Sequence, residues 1–298
     1  MKPFVTTTLS SGVTGELYLG DANKLLTDIN KESIDLVVTS PPYCIGKEYD
    51  RYVSADDFKN EIENVVENLV QTVKPRGSIC WQIGFHVRNN EIVPLDYIIF
   101  DIMAKFSQFK LRNRIAWTFG HGTHSTKRFS GRHETVLWYS NGDDYVFDLD
   151  AVRVEQKYPG KRAYKGPKKG QFSGNPLGKN PGDIWEIPNV KAQHVEKTDH
   201  PCQFPIALVR RLVRALSPRG GTVLDPFVGS GTAVAAALLE KRNGIGFEMS
   251  EAYMEIAAAR LKSLAEGALR FRDDVPVLDP STTGSVSVRP DHFKIFED

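Results

Sequence analysis

Hydrophobic positions recur along the chain in two alternating rhythms. The run Ile34-Asp35-Leu36-Val37-Val38 is β-branched and stops at a proline pair, the pattern of a strand buried on both faces. Over 55–73, Phe58, Ile62, Val65, Val66, Leu69, Val70 and Val73 recur at three- and four-residue spacing, which predicts a helix. Lys74-Pro75-Arg76-Gly77 ends it, and Ser78–Ile83 reads as the next strand. The rhythm returns later: a helical face at Ile206, Val209, Leu212, Val213 and Leu216, a strand at Gly221–Leu224, an Ala-rich helix at 231–241, a strand at Gly244–Phe247, and a helix at 250–264. Strands alternating with helices predict an α/β fold, with a doubly wound and mostly parallel sheet.

Two stretches interrupt the alternation, and both are basic. From Gln156 to Asn180 the chain carries Lys157, Lys161, Arg162, Lys165, Lys168, Lys169 and Lys179 with no acid, among recurring Gly and Pro. From Gly120 to His133 it carries Lys127, Arg128 and Arg132, again with no acid. These read as loop-rich, cation-bearing segments rather than core. Overall charge says nothing of this kind: 38 Lys+Arg against 37 Asp+Glu give a formal net charge of +1, so any polyanion-binding surface is local. The 298 residues are enough for one large α/β domain with an insert. No apolar stretch approaches the roughly 18 residues of a membrane helix, and the N-terminal residues lack a signal-peptide core. Three cysteines, Cys44, Cys80 and Cys202, do not suggest a disulfide framework, so a cytoplasmic protein is expected. His121, His124 and His133 lack partners at metal-ligand spacing, so no metal site is expected.

Chemistry concentrates in two motifs. Ser40-Pro41-Pro42-Tyr43 follows a buried strand at its carboxyl end, where open α/β sheets place ligands. The prolines fix φ and remove two backbone donors, leaving a stiff rim of acceptors: the Ser40 hydroxyl and the Ser40 and Pro41 carbonyls. Such a rim suits a substrate amine, and Tyr43 adds a ring on which a planar base can stack. The second motif, Asp225-Pro226-Phe227-Val228-Gly229-Ser230-Gly231-Thr232, runs from a strand through a glycine turn into a helix, and Glu248 ends the following strand. A dinucleotide site is the rival reading. Against it, Asp225 places a carboxylate just before the turn, which repels pyrophosphate but suits an ammonium and a sulfonium. Val234 also stands where a third glycine would fall. No Gly-Lys-Ser/Thr follows, which excludes a P-loop.

Together these residues resemble the β group of amino-methyltransferases, circularly permuted enzymes that modify exocyclic nitrogens of DNA bases and carry the catalytic motif before the cofactor motif. Gly20-Asp21-Ala22, the stretch Arg128–Glu134 before the strand-like Thr135–Tyr139, and His200–Pro205 agree with it. The resemblance implies a seven-stranded methyltransferase sheet with one antiparallel strand near an edge, binding S-adenosyl-L-methionine and flipping the target base from double-stranded DNA. Ser40 and the Pro41 carbonyl would hold the amine, with Pro42 stiffening the rim and Tyr43 stacking on the base. Asp225, Phe227, Gly229, Ser230, Gly231 and Thr232 would line the methionine half of the cofactor. Glu248 would hold the ribose, Asp21 would lie against the adenine edge, and His200 and Gln203 would close the methionine end. Lys127, Arg128, Arg132, Lys161, Arg162, Lys168 and Lys169 are the expected DNA contacts.

By the same resemblance residues 1–150 form the catalytic half, 151–199 the target-recognition insert, 200–264 the cofactor half and 265–298 an appendage. Members with Ser before Pro-Pro most often methylate cytosine N4, and those with Asp most often adenine N6. The family implies a bacterial modification enzyme, commonly paired with a cognate restriction endonuclease. A cytosine-C5 enzyme would need a cysteine nucleophile. Its echoes here, Pro201-Cys202 and Glu63-Asn64-Val65, read as accidental, because the first precedes the cofactor strand and the second sits on the polar side of a helix. A methyltransferase of RNA, protein or a small molecule and a non-catalytic binder on the same fold are the remaining rivals.

Overall fold

The computed structural model describes residues 1–43, 55–88, 91–120, 122, 124–156, 158, 160–175, 177–191 and 193–273. Cys44, His121, Lys157 and the appendage beyond Asp273 lie outside the described residues. In chain order the elements are β1 (Val5–Thr8), β2 (Thr14–Leu19), α1 (Ala22–Leu25), β3 (Ile34–Thr39), α2 (Ala55–Thr72), β4 (Val73–Ile83), β5 (Phe85–Arg88), β6 (Glu91–Pro94), α3 (Leu95–Met103), β7 (Phe109–Thr118), β8 (His133–Asn141), β9 (Ile184–Glu186), α4 (Ile206–Leu216), β10 (Thr222–Asp225), α5 (Thr232–Leu239), β11 (Asn243–Glu248) and α6 (Glu251–Ala265).

One sheet runs in the order β1-β2-β11-β10-β3-β4-β8-β7-β9. From β2 to β4 every neighbouring pair is parallel, and β8 then runs antiparallel to both β4 and β7. The seven strands from β2 to β7 therefore match the expected sheet, with its one antiparallel strand next to the last. The expected count of seven is nevertheless short. β1 pairs antiparallel with β2, and β9 pairs parallel with β7, so the sheet has nine strands. Both additions are short edge strands with little buried surface, so neither leaves a run of apolar residues to read.

β3 sits in the middle and is buried along its whole length. Leu36 and Val38 face one apolar cluster, built largely from α4, α5 and α6, while Val37 faces the other, built largely from α2 and α3. That double burial explains why the strand is a continuous apolar run rather than an alternation. The Lys74–Gly77 stop is a bulge within β4 rather than a gap before it: Ile34 pairs with Val73 and Leu36 with Ser78. Residues 154–179 form a loop closed at its base by reciprocal bonds between Val154 and Lys179 of 3.0 and 2.8 Å. The segment after α6 lies back on the molecule, with Leu269 and Phe271 against the α4–α6 core and Asp273 paired to Arg210 at 2.7 Å. Among the described residues no helix is long and apolar enough to cross a membrane.

Candidate active site

The chain reverses its winding direction at β3, so neighbouring strands place their carboxyl ends around a common crevice. Read across the sheet, β2 delivers Asp21, β11 Glu248, β10 the turn residues 226–230 and Thr232, β3 Ser40, β4 Gln82, the start of the reversed β8 Glu134, and β7 Trp117. All of these line one cavity of about 610 Å³. Its size is in the range that encloses a cofactor-sized ligand. Pro41, Pro42, Tyr43, His200, Gln203, Phe227, Gly229, Ser230 and Thr232 line it too. A buried hydrogen bond joins the two motifs across 186 residues of chain, with Thr39 Oγ1 donating to Asp225 Oδ1 at 2.6 Å.

Asp225 and Gly231 depart from expectation, since neither lies on the cavity wall. Asp225 is fully buried beneath the turn, accepting from Thr39 and from the Phe227 amide at 3.0 Å. Burial pushes its carboxyl up to about 7, and the neighbouring Glu248 adds to the rise. Its Oδ2 is buried without a hydrogen-bond partner. Gly231 caps α5 with φ of 81°, against Ala257 of α6.

Gly229 carries φ of 49°, and a Cβ there would lie 2.8 Å from His200 Nε2, so glycine lets the histidine ring close over the turn. That ring meets Tyr253 of α6 edge to face, with centroids 4.5 Å apart. Glu248 accepts from the Gly229 amide at 3.0 Å, the Met249 amide at 3.0 Å and the Ser250 amide at 2.9 Å. The turn amide that a pyrophosphate would need is thus given to a carboxylate. Asp21 Oδ1 accepts from the Asn23 amide at 2.8 Å and caps α1. Gln203 is spent on its own loop, donating to the Glu196 carbonyl at 2.8 Å and accepting from Thr198 at 3.0 Å.

At the other end, Tyr43 Oη lies 3.4 Å from Ser40 Oγ and 3.2 Å from Gln82 Nε2, which also donates to Glu134. Burial, reinforced by Glu134, raises the Tyr43 phenol well above its ordinary value and keeps it neutral. Gln82 carries no motif in the sequence, and Glu134, though it ends the stretch Arg128–Glu134, had no site role there; the pairing of β4 with β8 brings the two together. Arg260 was equally illegible. It is buried on α6, and it donates to the Ser230 carbonyl at 2.6 Å, Ser230 Oγ at 3.1 Å and Thr232 Oγ1 at 2.9 Å. Glu196 lies 3.9 Å from it and accepts from the Ile206 amide at the start of α4 at 2.9 Å.

The expected DNA contacts Lys127, Arg128, Lys161, Lys168 and Lys169 are exposed, and Arg132 is half-buried. Arg162 is also exposed but engaged within its loop, over the Phe172 ring at 4.3 Å and donating to the Gly170 carbonyl at 2.7 Å. Cys202 lines the cavity, whereas Glu63 faces away on α2, paired with Lys105. No group of three or more metal-ligating side chains occurs among the described residues.

The family model described as DNA methylase matches residues 34–259, a span that holds both motifs. The chain belongs to the N6/N4 DNA methylase family. The Type II methyltransferase M.BglII of Bacillus subtilis is 44% identical to this methylase over 244 residues, 81% of this chain and 67% of that protein. The DNA adenine methyltransferase YhdJ of Escherichia coli (strain K12) is 32% identical over 247 residues, 81% of each chain. Among solved structures, the PvuII DNA methyltransferase (cytosine-N4-specific) superposes with a TM-score of 0.68 at 20% identity, over 91% of this chain and 98% of that one. The putative DNA modification methylase TTHA0409 of Thermus thermophilus, solved with S-adenosyl-L-methionine, gives 0.59 at 25% identity, over 84% and 96%.

S-adenosylmethionine is the methylase's cofactor. The residues present fit it: the carboxylates of Asp21 and Glu248 on the cavity wall suit ribose hydroxyls and an adenine amine, with the Phe227 ring on the same wall.

Proposed function

We propose that this methylase moves a methyl group from S-adenosylmethionine to the exocyclic N4 amine of a cytosine flipped out of duplex DNA, in a bacterial cytoplasm. The observation that carries the reading is the shared wall: Ser40, Pro41 and Tyr43 face the same cavity as the glycine turn and Glu248. Ser40 Oγ accepts one amine proton and the Pro41 carbonyl the other, which favours a pyramidal nitrogen with its lone pair presented for attack. Tyr43, held by Gln82, stacks on the base, and its neutral phenol adds no charge beside it. The cofactor supplies an activated methyl. Transfer would be direct, with no covalent enzyme intermediate: the N–C bond would form as the sulfonium S–C bond breaks and leaves a neutral thioether, and the amine proton would pass to solvent, so the chain's own part is positioning and electrostatics. Glu248 holds the ribose and Asp21 the adenine edge, while His200 closes over the turn.

Adenine N6 is the second reading. It offers the same two protons to the same rim, and YhdJ is an adenine enzyme by name. Cytosine is favoured by Ser before Pro-Pro and by the cytosine-N4-specific PvuII neighbour. A cognate restriction endonuclease reading the same site is the expected partner, because M.BglII is a Type II enzyme. The test is nucleoside mass spectrometry on unmethylated bacterial DNA incubated with the protein and S-adenosylmethionine. N4-methylcytosine is expected; N6-methyladenine would correct the base, and no methylated nucleoside would overturn the reading.

A further inference from the structure

Phe129 is the one large apolar side chain among the described residues whose ring is wholly in water, at 101% of reference exposure. Scattered half-exposed apolar residues need no explanation, but a phenylalanine buried nowhere gains nothing from folding. Its surroundings are cationic, with exposed Lys127 and Arg128 immediately before it and Arg132 after.

The loop's place is fixed by the sheet. β7 ends at Thr118, paired with His133 where β8 begins, so the connection lies at the edge of the sheet that carries the active site. Glu134, five residues beyond Phe129, lines the cavity beside Tyr43. A fully extended five-residue span is at most roughly 18 Å, so the Phe129 backbone stands within about one duplex diameter of Glu134. The base of the loop is tied down. Phe119 N donates to the Arg132 carbonyl at 3.4 Å and Ser125 N to Ser130 Oγ at 3.1 Å. Gly131 lies so close to Phe85 that a Cβ would come within 2.6 Å of its ring. A held loop thus presents a bare aromatic ring between cations, at the same end of the sheet as the cavity proposed to take the base.

We propose that Phe129 is the wedge that enters the base stack of duplex DNA and fills the space left by the flipped base, while Lys127 and Arg128 hold the flanking phosphates. Extruding a base costs its pairing and stacking, and an inserted apolar ring restores stacking on both sides of the gap. Phe172 is less suited, being only 61% exposed beneath Arg162. Tyr164, 89% exposed, sits in the separate 154–179 loop.

This inference rests on the proposed action on duplex DNA, so wild-type protein comes first. Its methylated product maps the site, and absence of methylation would overturn the functional reading itself. On a duplex carrying that site, Phe129→Ala should lower single-turnover methylation at least tenfold with S-adenosylmethionine affinity unchanged. On the same duplex with the target base mispaired, where extrusion is already easy, the loss should shrink to threefold or less. Phe129→Trp should keep activity on the paired duplex, and its fluorescence should quench on binding. Wild-type turnover by Phe129→Ala on the paired duplex overturns the wedge. Equal losses on both duplexes overturn it too, because they assign the ring to general binding.

Discussion

Ser40 and Asp225 show how one side chain's surroundings set its task. Ser40 stands at a cavity wall with its hydroxyl 3.4 Å from Tyr43, a loose contact that leaves it able to accept from a substrate amine. Ser40→Ala should lower turnover by a factor of about 100 while leaving S-adenosylmethionine affinity near that of the parent, since an acceptor aimed at the reacting group acts on the reaction rather than on the cofactor. Turnover equal to the parent's would remove Ser40 from the chemistry. Asp225 is the opposite case, a carboxyl in the dark whose value rises from 3.8 to about 7. The folded state therefore holds the proton more tightly than the unfolded chain between those values. The group's contribution to stability falls as pH rises through that window, by up to about 1.4 kcal/mol per pH unit, and is level above it. Asp225→Asn keeps an acceptor for Thr39 and should flatten this slope in urea unfolding measured from pH 5 to 8. An unchanged slope would place the titration elsewhere.

At the scale of elements, the cofactor turn is held from outside itself. Arg260 of α6 ties Ser230 and Thr232, and the same guanidinium faces Glu196, which also receives the first amide of α4 and the Arg272 amide at 3.2 Å. A buried arginine used this way positions the turn, and its loss leaves Glu196 buried without its partner. Arg260→Met should weaken S-adenosylmethionine binding about tenfold by calorimetry and lower the melting temperature, with less change in turnover at saturating cofactor. Arg260→Lys should restore part of the affinity. A variant that loses stability with normal cofactor affinity would make the arginine a strut only. β4 and β8 hold the other half: Gln82 bridges Tyr43 and Glu134 across the pair. Glu134→Leu removes the acceptor for the Gln82 amide, so Tyr43 should lose its fixed position and turnover should fall about tenfold, read in single-turnover assays at unchanged cofactor affinity.

Across the whole molecule, charge is balanced to +1 yet segregated, with the basic loops at 120–133 and 154–179 outside the α/β core. Polyanion binding that depends on local cations releases counterions, and its affinity falls with salt at about 0.9 per phosphate neutralised on a log–log plot. The double charge reversal Lys168→Glu with Lys169→Glu should weaken DNA binding and reduce that slope by about 2, measured by fluorescence anisotropy across a salt series. A slope equal to the parent's would make the 154–179 loop a bystander.

The sequence by itself determined the alternation of strand and helix, because burial on both faces demands the continuous apolar run of β3 and burial on one face demands the spacing of α2 and α4. It determined the two motifs as well, since Pro-Pro and the glycine turn act through backbone conformations that their own residues impose. It did not reveal β1 or β9, whose pairing is decided by neighbours far along the chain, or the bulge that keeps Lys74–Gly77 inside β4. Gln82, Glu134, Glu196 and Arg260 became functional residues only once the sheet and α6 brought them beside the motifs. Asp225, read as a wall residue, proved to lie beneath the wall. Which way a side chain points out of a turn is set by packing on both sides of it, and that is a property of the tertiary structure.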